Sequence, residues 1–341
     1  MLQERYSRQE LFNPIGKSGQ NKISDKHVLL IGAGALGTGN AEALVRAGVG
    51  TITIVDRDYV EASNLQRQQL YSEEDAKKRM PKAIAAKERL SQINSSVTIH
   101  AKIMDASFAE LSSLAQDVDL MIDATDNYDT RLIINDAAQK YNVPWIYGAC
   151  VGSYGMTFTI IPGETPCLQC LWDNIPMSGG QTCDTAGIIS PAVNMVVSYQ
   201  TAEALKILVE DWQALRGKLV MFDLWENTHT EINVKKVKKK NCPSCGEQAY
   251  FPYLSNEKLM KTAVLCGRDT VQFRPSEKKT IDLTEIESVF SSQGLVVQRN
   301  PYLLSVTFAP HRVVVFYDGR VLVHGTNNVT EAKKYYHRIF S

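Results

Sequence analysis

The sequence predicts an α/β protein: a doubly wound, Rossmann-like sheet, mostly parallel with an antiparallel extension, followed by a small α+β C-terminal module. Three observations carry this expectation. Short apolar runs alternate with helix-like runs from His27 to Gly148, the pattern of a parallel sheet with crossover helices. A glycine-rich turn, Gly32-Ala33-Gly34-Ala35-Leu36-Gly37, joins the first strand to the first helix. Beyond Gly148 the period changes to the alternation of antiparallel strands.

The elements follow in order. His27–Ile31 reads as a buried strand, Ala35–Ala47 as a helix and Thr51–Val55 as the next strand. Pro81–Ile93 is helical by its alanine, lysine and leucine content, Val97–Ala101 is a strand, and 106–114 is helical. Leu120–Asp123 is a short strand, Asp129–Tyr141 a helix and Pro144–Gly148 a strand. Met156–Ile161, Lys218–Phe222 and Thr228–Val237 then read as antiparallel strands. Between them, Ser190 as N-cap and Pro191 in the first turn open an apolar helix to about Leu208. In the module, strands are expected at Thr270–Phe273, Val296–Gln298, Leu303–Phe308, Val313–Phe316 and Arg320–His324. Asp282–Ser291 and Thr330–Phe340 read as helices, and Asp318-Gly319 as a hairpin turn. Domains are expected over 1–248 and 255–341.

The 341 residues suffice for one large domain and a smaller companion. Lys plus Arg (37) equals Asp plus Glu (37), so no global field favours nucleic acid or an anionic membrane. Met1-Leu2-Gln3-Glu4-Arg5 lacks the apolar run of a signal peptide, and no stretch has the roughly 20 apolar residues that span a bilayer. The expectation is a cytoplasmic protein with no nucleic-acid or membrane partner.

The glycine turn places backbone N–H groups and a helix N-terminus against a phosphate, and Asp56 closes the next strand in position to hydrogen-bond ribose. These features fit a dinucleotide enzyme as well as an ATP enzyme. The charges beyond them separate the two. Arg67 and Lys82 can neutralise a triphosphate and stabilise charge moving onto pyrophosphate, while Asp126, at a strand end, can hold magnesium. Singly, Arg67 and Lys82 also read as surface charges and Asp126 as a helix N-cap; together on one rim they read as a site.

Asp56-x-Asp58, Ser63-Asn64-Leu65-Gln66-Arg67-Gln68, Pro81-Lys82 and Asp123-Ala124-Thr125-Asp126-Asn127 form a spaced set that resembles the MoeB/ThiF family of adenylyltransferases, relatives of the ubiquitin-activating enzymes. Arg5-Tyr6-Ser7-Arg8-Gln9 and two cysteine pairs match as well, so the resemblance covers about residues 4–248, and within the family it leans to the molybdopterin-synthase type. It implies adenylylation of the C-terminal glycine of a ubiquitin-like sulfur carrier with ATP and Mg2+. Asp56 would bind ribose; Gly34 and the Ala35 backbone would approach the phosphates. Ser63, Asn64, Leu65, Gln66 and Arg67 would line them, Lys82 would bridge them, and Asp126 with Asn127 would sit at the metal. Arg8 would reach into the partner subunit's site of a homodimer. Two departures are present: Ala35 where many relatives have Gly, and Arg79-Met80 where many have Gly-Gln. The motifs are shared by enzymes acting on the molybdopterin carrier, the preferred reading, and on the thiazole carrier.

Seven cysteines in a long chain without a signal peptide argue against a disulfide framework. Cys167-x-x-Cys170 and Cys242-x-x-Cys245 have metal spacing. Pro166 before the first pair and the Cys-Pro-Ser-Cys-Gly knuckle favour Zn2+ over a redox pair. Four thiolates leave no open position, so the zinc would be structural. Cys183 lies in a polar, glycine-flanked loop; the resemblance makes it the crossover-loop cysteine that in ThiF-like members links covalently to the carrier, and the alternative reading is a loop cysteine without chemistry. Cys150 and Cys266 read as structural. The basic run from Lys235 to Lys240 reads as a solvated strand edge, with carrier docking as the sharper alternative. With no rhodanese domain in the sequence, sulfur would come from a separate donor protein. Two rivals from other classes are an NAD-dependent oxidoreductase, for which no proton donor is evident, and a non-catalytic carrier-binding scaffold, which would not need Arg67, Lys82 and Asp126 together.

Overall fold

The computed structural model describes residues 4–105, 108–172, 186–255, 262–265, 269–275 and 280–340. The chain divides into two units, Met1–Asn256 and Glu257–Ser341.

The first unit opens with two helices, α1 (Ser7–Glu10) and α2 (Gly16–Asp25). There follow β1 (His27–Ile31), α3 (Ala35–Ala47), β2 (Thr51–Asp56), α4 (Glu73–Lys78), α5 (Lys82–Ile93) and β3 (Thr98–Ile103). Next come α6 (Phe108–Leu114), β4 (Leu120–Asp123), α7 (Tyr128–Tyr141), β5 (Trp145–Val151) and β6 (Tyr154–Ile160). The unit closes with α8 (Leu168–Trp172), α9 (Ser190–Leu208), β7 (Leu219–Asp223), β8 (Thr228–Ile232) and α10 (Pro252–Ser255). The strands form one sheet in the order β3-β2-β1-β4-β5-β6-β7-β8. The pairings from β3 through β5 are parallel and those from β5 through β8 antiparallel, as the change of period implies.

β1 shows why the parallel part reads as a continuous apolar run. Val28 and Leu30 enter the core on one face, with Ile52, Leu44 and Leu90; Leu29 and Ile31 enter the core on the other, with Met121, Ile133 and Trp145. Strands covered on both faces have no polar side to show.

Differences from the expected elements have local causes. α2 carries one large apolar residue, Ile23, and two glycines, so the sequence hides it. Gly19 is there because the helix packs closely: a Cβ would lie 3.0 Å from Val209 Cγ1. β3 runs from Thr98 to Ile103 and not from Val97. The strand expected over Thr228–Val237 stops at Ile232; Val234 turns into the core and Lys235–Val237 form a 3-10 turn, with Lys235 N donating to Asn233 Oδ1. Ile189, not Ser190, occupies the N-cap of α9, and Ser190-Pro191 form its first turn.

The second unit is an antiparallel sheet of β9 (Thr262–Leu265), β10 (Thr270–Phe273), β11 (Val296–Arg299), β12 (Leu303–Phe308), β13 (His311–Phe316) and β14 (Val321–His324), ordered β11-β12-β13-β14-β10-β9. Helices α11 (Leu283–Ser292) and α12 (Val329–Phe340) share a core with it, built from Val271, Leu304, Val306, Val313, Val321, Phe290 and Ile339. Gly319, at φ +84°, makes the Asp318-Gly319 turn, and Phe316 N donates to Arg320 O across it.

Candidate active site and metal centre

Three strand ends meet at one rim. Ile31, last in β1, is in register with Val55 of β2 and with Asp123 of β4. From β1 the chain winds out to β2 and β3 and then crosses back to β4, so the crevice above β1 is the switch point at which open α/β sheets bind ligands. The glycine turn is fastened to both flanks: Gly32 N donates to Val55 O at 2.8 Å, and Ala124 N donates to Ile31 O at 2.8 Å.

The glycines divide into two kinds. Gly32 has φ +99°, and a Cβ on it would lie 2.4 Å from Ala124 O. A Cβ on Gly37 would lie 2.0 Å from Gly32 O. Both serve the packing of the turn itself. Gly34 faces open space, with only Gln68 Nε2 within reach, 3.9 Å from where its Cβ would stand. Gly34 is also the N-cap of α3, whose first intrahelical bond runs from Thr38 N to Gly34 O. The amides of Ala35 and its neighbours therefore begin the helix without intrahelical partners, beside an open cradle suited to an anion.

Asp56 holds this turn in place. Its Oδ2 accepts from Ala33 N at 2.6 Å and its Oδ1 from Asp58 N at 2.7 Å. Burial pushes its carboxyl above the usual range, against the pull of Lys82 and the two N–H donors, with nearby Asp58 adding to the rise. Lys82 opens α5, is only 3% exposed, and sets Nζ 3.6 Å from Asp58 Oδ2. The buried Tyr71 hydroxyl lies 2.6 Å from Ala33 O and 3.2 Å from Lys82 O, spanning the glycine turn and the lysine. Its ionisation is pushed well up, by burial first, so it is a fixed neutral donor.

The Ser63–Gln68 run folds as a short 3-10 turn and its continuation. Buried Asn64 accepts from Glu61 N through Oδ1, and half-buried Arg67 donates from Nη1 to Ser63 O at 2.9 Å. Ser63 and Gln66 are exposed and Leu65 is half-buried. Gln68 was given no role from the sequence. It is buried, its Oε1 has no hydrogen-bond partner among the described residues, and its Nε2 stands in front of Gly34. Its place at the end of the run was the available signal.

On the other flank, β4 ends at Asp123, and residues 124–127 lead into α7. Asn127, not Asp126, is the helix N-cap: its Oδ1 accepts from Thr130 N at 2.9 Å. The structure thus takes the capping role from Asp126, whose side chain is exposed at the strand end. Beneath it lies a pair the sequence reading passed over. Fully buried Asp123 accepts from Thr125 N, from Thr125 Oγ1 and from Arg131 Nε at 3.0 Å. Arg131 Nη2 donates to Thr125 O at 2.7 Å and Gly148 O at 3.1 Å, and its guanidinium lies over the Tyr147 ring.

Arg8 lies on α1, away from these strand ends in sequence. The motif residues around it are anchored: Tyr6 OH accepts from Asn94 Nδ2 at 2.8 Å, and Gln9 Nε2 donates to Gln20 Oε1 and Ala47 O. Arg8 is exposed, with no hydrogen bond or ion pair among the described residues.

Cys167, Cys170, Cys242 and Cys245 converge, with all four sulfurs within 4.8 Å of one another. The Cys167–Cys242 and Cys170–Cys245 sulfur separations are each 3.6 Å. A tetrahedron of bonds of about 2.3 Å has edges of roughly 3.8 Å, so the four thiols fit a zinc ion. Lys239 N donates to Cys170 Sγ, and Lys238 Nζ donates to Gly163 O. Part of the basic run therefore braces the metal knuckle, where a purely solvated edge was expected. Cys150 is half-buried against the apolar cluster of Leu36, Val193 and Val196. Cys183 and Cys266 lie outside the described residues. No helix among the described residues is long and apolar enough to cross a membrane.

The family model described as ThiF family matches residues 6–244. This chain belongs to the ThiF family. Its similarity to the sulfur carrier protein ThiS adenylyltransferase of Bacillus subtilis (strain 168) is 54% identity over 334 residues, 98% of each chain. The molybdopterin-synthase adenylyltransferase of Escherichia coli (strain K12) is 35% identical over 71% of this chain and 96% of its own. Among solved structures, E. coli MccB with MccA-N7isoASN matches with a TM-score of 0.63 at 21% identity, covering 71% of this chain and 75% of that one. That likeness confirms the fold. Within the ThiF family, the relatives named here are adenylyltransferases, which agrees with the charged rim around the glycine turn.

Proposed function

We propose that this chain adenylylates the C-terminal glycine carboxylate of a small ubiquitin-like sulfur carrier protein. The observation that supports this best is the rim itself: an open glycine cradle after β1, exposed Asp126 after the neighbouring β4, and buried Lys82 at the start of α5, held 3.6 Å from Asp58 just beyond β2. The ThiS type is the better supported carrier, because the 54% identity to the ThiS adenylyltransferase extends through both units. The molybdopterin-synthase carrier, preferred from the motifs alone, is the second reading; its adenylyltransferase matches 71% of this chain.

In this reading the carrier carboxylate, ionised at neutral pH, attacks the α-phosphorus of ATP. An oxygen–phosphorus bond forms, the bond to the bridging oxygen breaks, and pyrophosphate leaves. No general base is required, so catalysis is positioning and charge stabilisation. Asp56 holds the turn and meets the ribose, and the Gly34–Ala35 backbone faces the phosphates. Asn64, Arg67 and Lys82 hold the phosphates, with Ser63, Leu65 and Gln66 supplying the wall. Arg8 completes the site of the other subunit in a homodimer. Asp126, with Asn127 beside it, is the residue that would hold magnesium, which when bound neutralises charge on the departing pyrophosphate. Zinc at the four cysteines is structural. Cys183 carries the activated carrier or relays sulfur from a separate donor protein in the cytoplasm.

Carrier-dependent exchange of labelled pyrophosphate into ATP tests this. Asp126→Ala is expected to lower the exchange rate by about a hundredfold or more while leaving the melting temperature in place. Undiminished exchange in that variant removes Asp126 from the site. Nicotinamide binding without exchange in the parent protein returns the oxidoreductase reading.

A further inference from the structure

We propose that Arg131 is a positioning residue for the Asp126 loop, setting the strand end to which the nucleotide's metal binds. This rests on the adenylylation reading for the identity of the ligand, and on geometry for everything else.

Residues 124–127 form the short connection from β4 to α7, and the position of the exposed Asp126 carboxylate depends on the backbone on either side. That backbone is fixed from below. Arg131 lies in the first turns of α7, and its guanidinium takes four partners at once. It donates to the Asp123 carboxylate, to the carbonyl of Thr125 immediately before Asp126, and to the carbonyl of Gly148 in β5, and it lies 5.2 Å from the centroid of the Tyr147 ring. Asp123 in turn accepts from the amide and hydroxyl of Thr125, so both polar ends of the Thr125 backbone are tied to one buried ion pair. From above, Gln200 Nε2 donates to Asp123 O at 2.9 Å and to Ile146 O. Gly148 is a glycine because Gln200 fills the space: a Cβ there would lie 2.4 Å from Gln200 Nε2.

A buried ion pair is a poor way to stabilise a fold, since desolvation offsets its attraction. It is a good way to fix a geometry, because a planar guanidinium imposes directions that a lysine ammonium cannot reproduce. Asp123 therefore acts on Asp126 through the backbone, and Arg131 through the backbone and through the direct attraction between its charge and the Asp126 carboxylate, without touching substrate.

The test is nucleotide-binding calorimetry on the full chain, with ATP titrated in excess Mg2+ and again in EDTA. The ratio of the two affinities isolates the metal-dependent part of binding. A merely structural role for Arg131 would weaken both titrations together. Arg131→Lys is expected to lower the Mg2+-dependent gain by about tenfold, the usual cost of losing a group that orients a metal ligand, with binding in EDTA unchanged. The double variant Arg131→Met, Asp123→Leu removes both charges, avoiding a stranded buried carboxylate, and is expected to lose the same gain. A gain equal to the parent's in a folded double variant, or parallel loss in both titrations for Arg131→Lys, overturns the proposal. A parent protein that binds no ATP in either buffer fails the adenylylation reading and takes this proposal with it. A parent that binds ATP with the Mg2+ gain while Arg131→Lys matches it fails the proposal alone.

Discussion

Gly34 and Gly37 are three residues apart in the helix-opening turn yet answer to different demands. A methyl on Gly37 meets a carbonyl oxygen at 2.0 Å, whereas a methyl on Gly34 meets nothing but the edge of Gln68. Gly37→Ala is therefore expected to cost about 1–3 kcal/mol of stability or more, seen in thermal melts. Gly34→Ala is expected to melt like the parent and bind ATP about tenfold more weakly, by displacing the phosphates. Asp56 adds a pH dependence. Its ionised form accepts from both Ala33 N and Asp58 N, and burial raises its pKa. As pH falls through that raised value the acceptor is lost, so ATP affinity should decline at a pH above the ordinary carboxylate range. Asp56→Asn should show weaker binding with a flatter profile, which titration at several pH values would reveal. The sequence made Gly34, Asp56, Lys82 and Asp126 visible because charged and glycine residues stand out at strand ends. Arg131 and Gln200 were not visible, since their importance lies in which carbonyls they reach across the fold.

The same divide holds for elements. The parallel strands were legible because strands covered on both faces are apolar throughout, and β1 through β5 fell where expected, with ends shifted by up to three residues, the most at Val151 of β5. α2 was not legible, because a helix that buries Gly19, Gln20 and Ile23 shows one large apolar residue in its sequence. The end of β8 was misjudged because alternation continues past Ile232 in sequence while Val234 turns inward. The cysteine pairs were legible as a spacing, and the structure brings them from α8 and its approach and from the knuckle after β8 into one cluster. If that cluster holds a structural metal, elemental analysis should find about one zinc per chain. Cys242→Ser, leaving three thiolates, should lower the melting temperature by on the order of 10 °C. An unchanged melt and no bound metal would leave the four thiols as a reduced buried cluster.

At the scale of the whole molecule, the first unit contains every residue to which the proposed chemistry is assigned among those described. The second unit was legible as a small α+β module, down to the Asp318-Gly319 turn but without its edge strand β9, which was not expected, and carried no motif with a mechanism. Its significance comes from comparison: the ThiS adenylyltransferase match spans 98% of this chain, the molybdopterin-synthase match 71%. Activation of a carrier's terminal carboxylate is read out by pyrophosphate exchange with purified carriers. Exchange is predicted with a ThiS-type carrier, at a rate above that with a molybdopterin-type carrier, and none with a carrier lacking its C-terminal glycine. Exchange that ignores the carrier, or its absence with both carriers, would contradict the account.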